Sequence, residues 1–543
     1  MKDRVSLTDF LMYHKETHPI SFHMPGHKGR STLYGIYGFG DFIKNVVGND
    51  ITEIPGADAL QQPRERIRDM MEGYAGLYGA KHTELLVNGS SAGLMASILG
   101  SVPRGGKLLM GRNSHKSVYG ALRLGGIDPV YIMPEIDGET GLQLGLDPDK
   151  IEAALIEDGD IKAVLVTSPN YYGVLSDIER IASIVHLHGR ILIVDQAHGA
   201  HLKFFDYLRS EDGLPHRAAE NCGADIVVDS THKTLLSFTG SAILNICTER
   251  PDVSRISELL RMLQTTSPSY LLMGSLDINQ QILRMDGYNL IKNWDADIKY
   301  FYEEAARIAG LGLINRIDLD ETKVSITMSA LGLSGPELAE ELEKRNIWVE
   351  LTHGDYVMLM TGLGNERGDY EDVLSALRDL SAHYGGRIQG VEPESSASKT
   401  ESAAQDAAQK QAKNEAQAMA KNEAQAMAKN EAQAANKNAS QPVDKIAELR
   451  TPSSDSALIE RLEQRKIPDT YEEVPLYSAE GRVLYESIIP YPPGTPIACP
   501  GEVLSKSVIL YVRDQLVAQH VVLGVDEEGR VKVESDCVLF KEI

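Results

Sequence analysis

The sequence predicts an α/β protein with a mostly parallel sheet in its large domain. Its short apolar runs are rich in valine, isoleucine and leucine and lack polar alternation, which is typical of strands buried on both faces. Between them lie segments such as 93–100 and 177–189, whose apolar residues recur at the three- and four-residue spacing of helices. Strand and helix in regular alternation indicate a parallel sheet covered by helices on both sides. The predicted strands are residues 84–87, 107–110, 129–133, 163–168, 191–195 and 225–230.

Two smaller α+β domains are predicted after the large one. Within the first, residues 323–329, 347–351 and 356–361 have the composition of strands, and 334–346 that of a helix with Pro336 in its first turn. In the second, a proline-rich stretch at 488–502 is flanked by strand-like runs at 507–512 and 531–540.

A low-complexity spacer separates these two domains. The eight-residue unit AKNEAQAM occupies 412–419 and 420–427, and AKNEAQAA follows at 428–435. The unit has no aromatic or β-branched residue with which to build a core, so we interpret it as a solvated, partly helical tether. The predicted parts are therefore an N-terminal segment (1–75), the large domain (76–310), the small domain (311–393), the repeat linker (394–445) and the C-terminal domain (446–543).

Charge and cysteine content restrict the partners and the compartment. The chain has 54 Lys and Arg against 78 Asp and Glu, a formal charge of −24, which argues against nucleic acid or an anionic membrane as the main partner. The four cysteines are widely spaced and form no CxxC pair, which favours a reducing compartment. With no signal-like or membrane-spanning apolar stretch, we expect a cytoplasmic protein.

Hydroxyl residues follow the first predicted strand. In NGSSAG (88–93), Ser90 and Ser91 open a helix, where backbone N–H groups and hydroxyls together form a cup for an anion such as phosphate. The alternative is that Ser91 simply caps the helix.

An aspartate ends the apolar strand 191–195, and two histidines follow it. Asp195, His198 and His201 are candidate metal ligands, but no helix aligns them and no HExxH-type partner exists, so we predict no metal. The favoured alternative is a buried carboxylate that faces a cationic ring nitrogen.

A lysine follows the next strand. Lys233 lies three residues after Ser230, and a lysine desolvated at a strand end has the lowered pKa that Schiff-base chemistry needs. Taken alone, a single lysine such as Lys233 is more often a surface residue. The ordered set of phosphate cup, Asp195 and Lys233 on one sheet is what a pyridoxal-phosphate enzyme requires. His115, after the strand 107–110, is then placed to stack on the cofactor ring.

Several motifs in order resemble the Orn/Lys/Arg decarboxylase family of fold-type-I pyridoxal-phosphate enzymes. The resemblance is greatest to compact bacterial arginine and lysine decarboxylases without an N-terminal wing domain, and it covers nearly everything except the spacer. The motifs that carry it are FHMPGHKGR (22–30), NGSSAGLMASI (88–98), NSHKS (113–117), VDQAHGAH (194–201), DSTHK (229–233), LQTTSPSYLLMGSLD (263–277) and YPPGTPIACPGE (491–502).

The resemblance implies roles for individual residues. It implies that Lys233 joins the cofactor covalently, that Asp195 pairs with the pyridine nitrogen and that His115 stacks on the ring. Further residues implied to bind the cofactor, most of them at its phosphate, are Ser90, Ser91, Ala92, Ala197, His198, Ser230 and His232, with His232 also expected to be catalytic.

In such enzymes two subunits share each active site. Thr266 or Ser267 is therefore expected to reach a neighbour's cofactor, and Glu502 a neighbour's substrate, in a homodimer or higher homo-oligomer. Glu502 is alternatively a turn residue. Where relatives usually have DEAHG, this chain has Gln196 after Asp195, which implies a pocket one charge less negative.

The implied activity is decarboxylation of a basic amino acid, with arginine ranked first, lysine second and ornithine third. The products are carbon dioxide and agmatine, cadaverine or putrescine. The alternatives are an aminotransferase or lyase on the same fold and a non-catalytic binding protein. A non-catalytic binding protein is disfavoured, because the chain has both Lys233 and Asp195 and binding alone requires neither residue.

Overall fold

The structure is a computed structural model that describes residues 6–388, 462–465, 467–468, 470–491, 494–517 and 521–535. The described residues before position 386 and those from position 462 onward belong to one compact unit. The predicted repeat linker, 394–445, lies outside the described residues. None of the described helices is long and apolar enough to cross a membrane.

The N-terminal segment consists of short elements that pack on the rest of the chain. They are α1 (Leu7–Glu16), β1 (Ile20–Phe22), α2 (Ser31–Ile36), α3 (Gly40–Lys44), α4 (Val46–Asn49) and α5 (Arg66–Tyr78). Helix α1 begins at Ser6, whose hydroxyl accepts a bond from the Asp9 N–H at 3.1 Å in a capping box. After β1 the chain passes Gly26, whose N–H donates to the His232 carbonyl at 2.8 Å, next to Lys233.

The central sheet has seven strands with helices between them. In chain order these elements are β2 (His82–Leu86), α6 (Gly89–Ser101), β3 (Lys107–Gly111), α7 (Lys116–Gly125), β4 (Asp128–Ile132), α8 (Pro148–Glu157), β5 (Ile161–Thr167), α9 (Ile178–Leu187), β6 (Ile191–Asp195), α10 (Leu202–Glu211), β7 (Ile226–Asp229), α11 (Thr231–Thr234), β8 (Ala242–Ile246), α12 (Val253–Leu263) and α13 (Tyr270–Ala305). The strand order is β2-β8-β7-β6-β5-β3-β4. Every pairing is parallel except those of β8, which runs antiparallel to both neighbours. The predicted α/β class with a mostly parallel sheet is confirmed, and β8 is absent from the predicted strands.

The sheet is buried on both faces, which explains the unbroken apolar strands. Val164, Val194 and Val227 pack into a core cluster on one face, and their chain neighbours Leu165 and Ile193 pack into another. Because successive residues of a strand point to opposite faces, both sets must be apolar when helices cover both sides.

The small α+β region follows α13. Its elements are β9 (Gly312–Leu313), β10 (Lys323–Thr327), a 3₁₀ turn (Ser329–Leu331), α14 (Gly335–Glu343), β11 (Ile347–Val349), β12 (Leu351–His353), β13 (Tyr356–Met360) and α15 (Arg367–Ile388). Four strands form an antiparallel sheet in the order β12-β13-β10-β9, and β11 pairs in parallel with β1. Helix α14 begins where Pro336 predicts it, because Ser334 and Glu337 close a capping box.

The described part of the C-terminal region contains two small strand pairs and one helix. The elements are β14 (Tyr471–Pro475), a 3₁₀ turn (Leu476–Ser478), β15 (Ile489–Tyr491), α16 (Lys506–Val517), β16 (Val521–Leu523) and β17 (Arg530–Glu534). The prediction of a strand at 507–512 is wrong, since α16 covers these residues. Val508, Ile509 and Val512 are buried together at helical spacing, so tertiary packing of one helix face overrides the β-branched composition.

Candidate active site

The carboxyl ends of neighbouring strands bring the predicted residues together. Strand β6 ends at Asp195 and pairs there with Val228 of β7, two residues before Ser230. In open α/β sheets this edge is where ligands bind. Lys233 follows on the short helix α11, beside the end of β6.

Lys233 is desolvated. Its Nζ lies 2.9 Å from Nε2 of His198. Burial lowers the pKa of Lys233 to about 8, against the opposing charges of Asp195 and Glu350, which raise it. An amine with this pKa has an appreciable neutral fraction near neutral pH, and the neutral form is the nucleophile that attacks an aldehyde.

Asp195 is an acid held in an apolar strand end. It is 3% exposed, and its Oδ1 accepts a bond from the Ala197 N–H at 3.2 Å. Burial raises the pKa of Asp195, and the nearby charge of Lys233 lowers it. A buried carboxylate that accepts one backbone hydrogen bond keeps free acceptor positions, and a protonated ring nitrogen can donate to one of them.

Two histidines beside Lys233 are neutral at physiological pH. Burial is the largest cause in both cases, and the positive charge of Lys233 adds to it: the pKa of His115 falls to about 3 and that of His232 to about 4. His115 caps α7, with its Nδ1 accepting from the Ser117 N–H at 3.2 Å. The Nδ1 of His232 lies 2.7 Å from the Ser241 carbonyl and must donate to it, which leaves Nε2 unprotonated.

The N-terminal half of α6 packs closely against the ends of β2 and β7. A Cβ on Gly93 would approach Leu86 to 2.6 Å and Val228 to 3.0 Å, so α6 packs this closely only because the residue is glycine. Ser90 and Ser91 occupy the first turn, whose N–H groups have no partners within the helix.

A phosphate fits this turn. Ser230, directly after β7, is fully buried, yet its hydroxyl has no hydrogen-bond partner in the described part of the chain. A buried hydroxyl without a partner is uncommon in a folded protein, and a phosphate oxygen would satisfy it together with the α6 N–H groups. Ala92 in the first turn of α6 and Ala197 after β6 are small buried residues, 5% and 6% exposed. The residues present therefore fit pyridoxal phosphate.

Other side chains after β6 point away from Lys233. His201 lies 3.1 Å from Asp320. Gln196 is fully buried, and its Nε2 donates to Glu220 and Asp229, both at 3.0 Å. Gln196 therefore faces the partly exposed Glu220 and the buried Asp229. Burial and Glu220 raise the pKa of Asp229 well above its usual value.

Glu502 and Thr266 do not join this group within one subunit. The Glu502 carboxylate is 2% exposed and accepts two bonds from Arg112, at 3.2 Å from Nε and 2.8 Å from Nη2, and one from the Cys499 N–H at 2.7 Å. Thr266 and Ser267 are exposed on the turn between α12 and α13. The predicted contacts of Glu502 with a neighbour's substrate, and of Thr266 or Ser267 with a neighbour's cofactor, stay predictions.

Four further residues of the site were not predicted. Tyr171 packs edge-on against His198, with ring centroids 4.9 Å apart, and its hydroxyl donates to Glu350 at 3.1 Å. The Nζ of Lys323 donates to the His198 carbonyl at 3.2 Å. Lys28, from the FHMPGHKGR motif, is buried, and burial lowers its pKa to about 7. Glu350 had a usable signal, because it is an acid within the short apolar run predicted as the strand 347–351, and in the structure it directly follows β11.

Comparisons with known proteins agree with this geometry. A model of the Orn/Lys/Arg decarboxylase major domain matches residues 5–317, and one of the C-terminal domain of that family matches residues 455–524. The chain is 33% identical over 389 residues to an arginine decarboxylase of Bacillus cereus, covering 69% of this chain and 82% of that protein. It is 28% identical over 529 residues to an arginine decarboxylase of Bacillus anthracis, covering 95% and 94%.

The fold is also that of a solved decarboxylase. The constitutive lysine decarboxylase of E. coli superposes with a TM-score of 0.66 at 19% identity, covering 97% of this chain and 81% of that one. At this identity the likeness concerns the fold alone.

Proposed function

Because the chain belongs to the Orn/Lys/Arg decarboxylase family and is an amino-acid decarboxylase, we propose that it binds pyridoxal 5′-phosphate and decarboxylates arginine to agmatine. Lysine and ornithine are the second and third candidate substrates. The arginine decarboxylases of Bacillus support this order. The observation that carries the proposal is the desolvated Lys233 amine beside buried Asp195.

The residues have separate tasks in holding the cofactor. Ser90, Ser91 and Ser230 would hold its phosphate, Asp195 would keep a proton on its ring nitrogen, and His115 would lie against its ring. When bound, pyridoxal phosphate supplies an electron sink for the bond that breaks at the α-carbon.

Lys233 is the better candidate to return a proton to the α-carbon. Its pKa of about 8 leaves most of the amine protonated at neutral pH. His232, with a pKa of about 4 and its Nδ1 hydrogen directed to the Ser241 carbonyl, has no acidic proton to give.

We also propose a homodimer in which the turn that carries Thr266 contributes to the partner's site. Its exposure leaves it available for such a contact. Mixing inactive Lys233→Ala and Thr266→Tyr subunits tests this: recovery of activity in the mixture is expected if sites are shared, and none if each subunit is self-sufficient.

The test of the activity is direct. Purified protein is supplied with pyridoxal phosphate and with arginine, lysine or ornithine, and carbon dioxide and amine are measured. Arginine should give both in equal amounts, and Lys233→Ala should abolish turnover and the borohydride-reducible adduct. A keto acid in place of carbon dioxide would indicate an aminotransferase and refute the proposal.

A further inference from the structure

Glu350 is a buried carboxylate near Lys233, and no lysine or arginine of the described residues lies within ion-pair distance of it. Glu350 directly follows β11, and its side chain is 1% exposed. Its Oε2 accepts from the Met24 N–H at 3.0 Å, and its Oε1 accepts from the Tyr171 hydroxyl at 3.1 Å. Within the described ranges, the ion-pair contact of Glu350 is with Nε2 of His23 at 3.8 Å, and this partner is cationic only when protonated.

Such an arrangement is costly unless a cation completes it. Moving a carboxylate out of water costs several kcal/mol, which neutral donors offset only in part. Ionisable groups that are buried without a fully charged partner cluster at functional sites. A carboxylate has about four acceptor positions, two on each oxygen. One position on each oxygen of Glu350 is occupied, so each oxygen keeps one for a ligand.

A short path of contacts connects Glu350 to the reacting amine. Tyr171 bonds to Glu350 and packs its ring against His198, which lies 2.9 Å from the Lys233 amine. The negative charge of Glu350 also acts on Lys233 and raises its pKa against the effect of burial. Two side chains, Tyr171 and His198, therefore separate Glu350 from the Lys233 amine, and a substrate bound beside that amine would have its side chain in the same region.

The other buried acids around the site are already neutralised or assigned. Asp320 pairs with His201 at 3.1 Å and with Lys323 at 3.5 Å. Glu502 is held by Arg112, and Asp195 faces the cofactor.

The lysine next to Glu350 opposes a ligand cation only weakly. The Nζ of Lys28 donates to the carbonyls of His23 and Met360, at 2.7 and 2.9 Å. Since the pKa of Lys28 is about 7, this amine carries only part of a positive charge near neutral pH.

We propose that Glu350, oriented by Tyr171 and by the Met24 N–H, binds the cationic end of the substrate side chain within the same subunit and selects for basic amino acids. A guanidinium offers two parallel N–H donors, which match the two free acceptor positions. This inference rests on the proposed decarboxylase function and assigns its specificity to a residue of the small α+β region.

The test compares arginine with citrulline, its neutral isostere, in the holoenzyme. Glu350→Gln should raise the KM for arginine about 100-fold with kcat nearly unchanged, because the contact is made equally in the ground and transition states. The kcat/KM for citrulline should not fall. An equal loss of kcat for both substrates would overturn the inference, since it would mean a role at the reacting carbon.

Binding of agmatine, measured by calorimetry, provides a readout without turnover. Glu350→Gln should weaken it about 100-fold, and Tyr171→Phe, which removes only the orienting hydroxyl, should weaken it less. Tyr171→Phe also serves if Glu350→Gln does not fold. The matched control is Glu340→Gln, an exposed carboxylate of α14 paired with Lys344, which should bind agmatine like the wild type.

Glu502→Gln separates the two candidate acids. It should destabilise the protein yet keep the arginine-to-citrulline preference, and a collapse of that preference in Glu502→Gln with none in Glu350→Gln would overturn the inference. A wild-type protein that releases carbon dioxide from none of the three basic amino acids contradicts the proposed function itself. A decarboxylating Glu350→Gln variant with unchanged preference contradicts only the role of Glu350.

Discussion

Replacing Arg112 with methionine should destabilise the protein by about 3–5 kcal/mol, the usual loss when one partner of a buried ion pair is removed. Arg112 is 1% exposed and Glu502 2% exposed. The guanidinium donates to both Glu502 oxygens, at 3.2 and 2.8 Å, and to the Pro496 carbonyl at 2.8 Å. It thus joins the end of β3 to the proline-rich C-terminal loop.

The magnitude follows from what methionine leaves behind. The Glu502 carboxylate stays buried with the Cys499 N–H as its remaining donor, and methionine, of similar length, fills the space without a charge. The control is Arg180→Met, an exposed arginine paired with Asp149, for which a change below about 1 kcal/mol is expected.

The assay is urea unfolding followed by circular dichroism, with the free energy taken from the first transition. Adding Glu502→Leu to Arg112→Met should recover part of the loss, because the unpaired charge is then removed. A loss below about 1 kcal/mol for Arg112→Met, or a double variant less stable than the single one, would refute the reasoning.

Three further outcomes are expected. Asp195→Asn should reduce turnover far more than cofactor content, and equal losses in a combined activity and absorbance measurement would make Asp195 purely structural. Modification of the Lys233 amine in cofactor-free protein should rise through about pH 8, because burial lowers its pKa to about 8, and a midpoint near the ordinary lysine value would contradict this. Gln196→Glu places a third carboxylate against Glu220 and Asp229. The pKa of the new carboxyl at position 196 should therefore be higher in the folded than in the unfolded protein, and the pKa of Asp229 is raised in the same way. A group with a raised folded pKa stabilises the protein at low pH, and this contribution is lost as the pH rises. The loss in the free energy of unfolding caused by Gln196→Glu, measured by urea unfolding, should therefore grow between about pH 5 and pH 8. A loss that stays constant over this range would disprove the prediction.

The residues proposed to carry the chemistry could be selected from the sequence because each lies at or after the end of a predicted strand. Asp195 is the last residue of β6 and Lys233 lies on the short helix after β7, and parallel strands bring such positions to one edge. The phosphate turn at Ser90 follows the same rule. Glu350 follows it too, but a single acid after a three-residue strand looks like a surface residue until packing shows that it is buried.

Side-chain direction was not predictable. Gln196 is adjacent to Asp195 in sequence, yet successive residues point to opposite sides, and it meets Glu220 and Asp229 instead of the cofactor site. The run at 507–512 has the composition of a strand but forms a helix, because burying Val508, Ile509 and Val512 against the C-terminal core outweighs local propensity.

The sequence alone determined the six predicted strands of the central sheet, their order along the chain and the candidate groups at their carboxyl ends, since these depend on periodicity and adjacency. It did not reveal the antiparallel strand β8. Only the tertiary structure decided which charges are free to act. Glu502 and Glu350 are both acids in C-terminal or small-domain loops. Arg112, 390 positions away, neutralises the first, whereas no lysine or arginine of the described residues lies within ion-pair distance of the second. Whether a buried carboxylate has a cationic partner depends on contacts between residues far apart in sequence, and local sequence patterns do not predict such contacts.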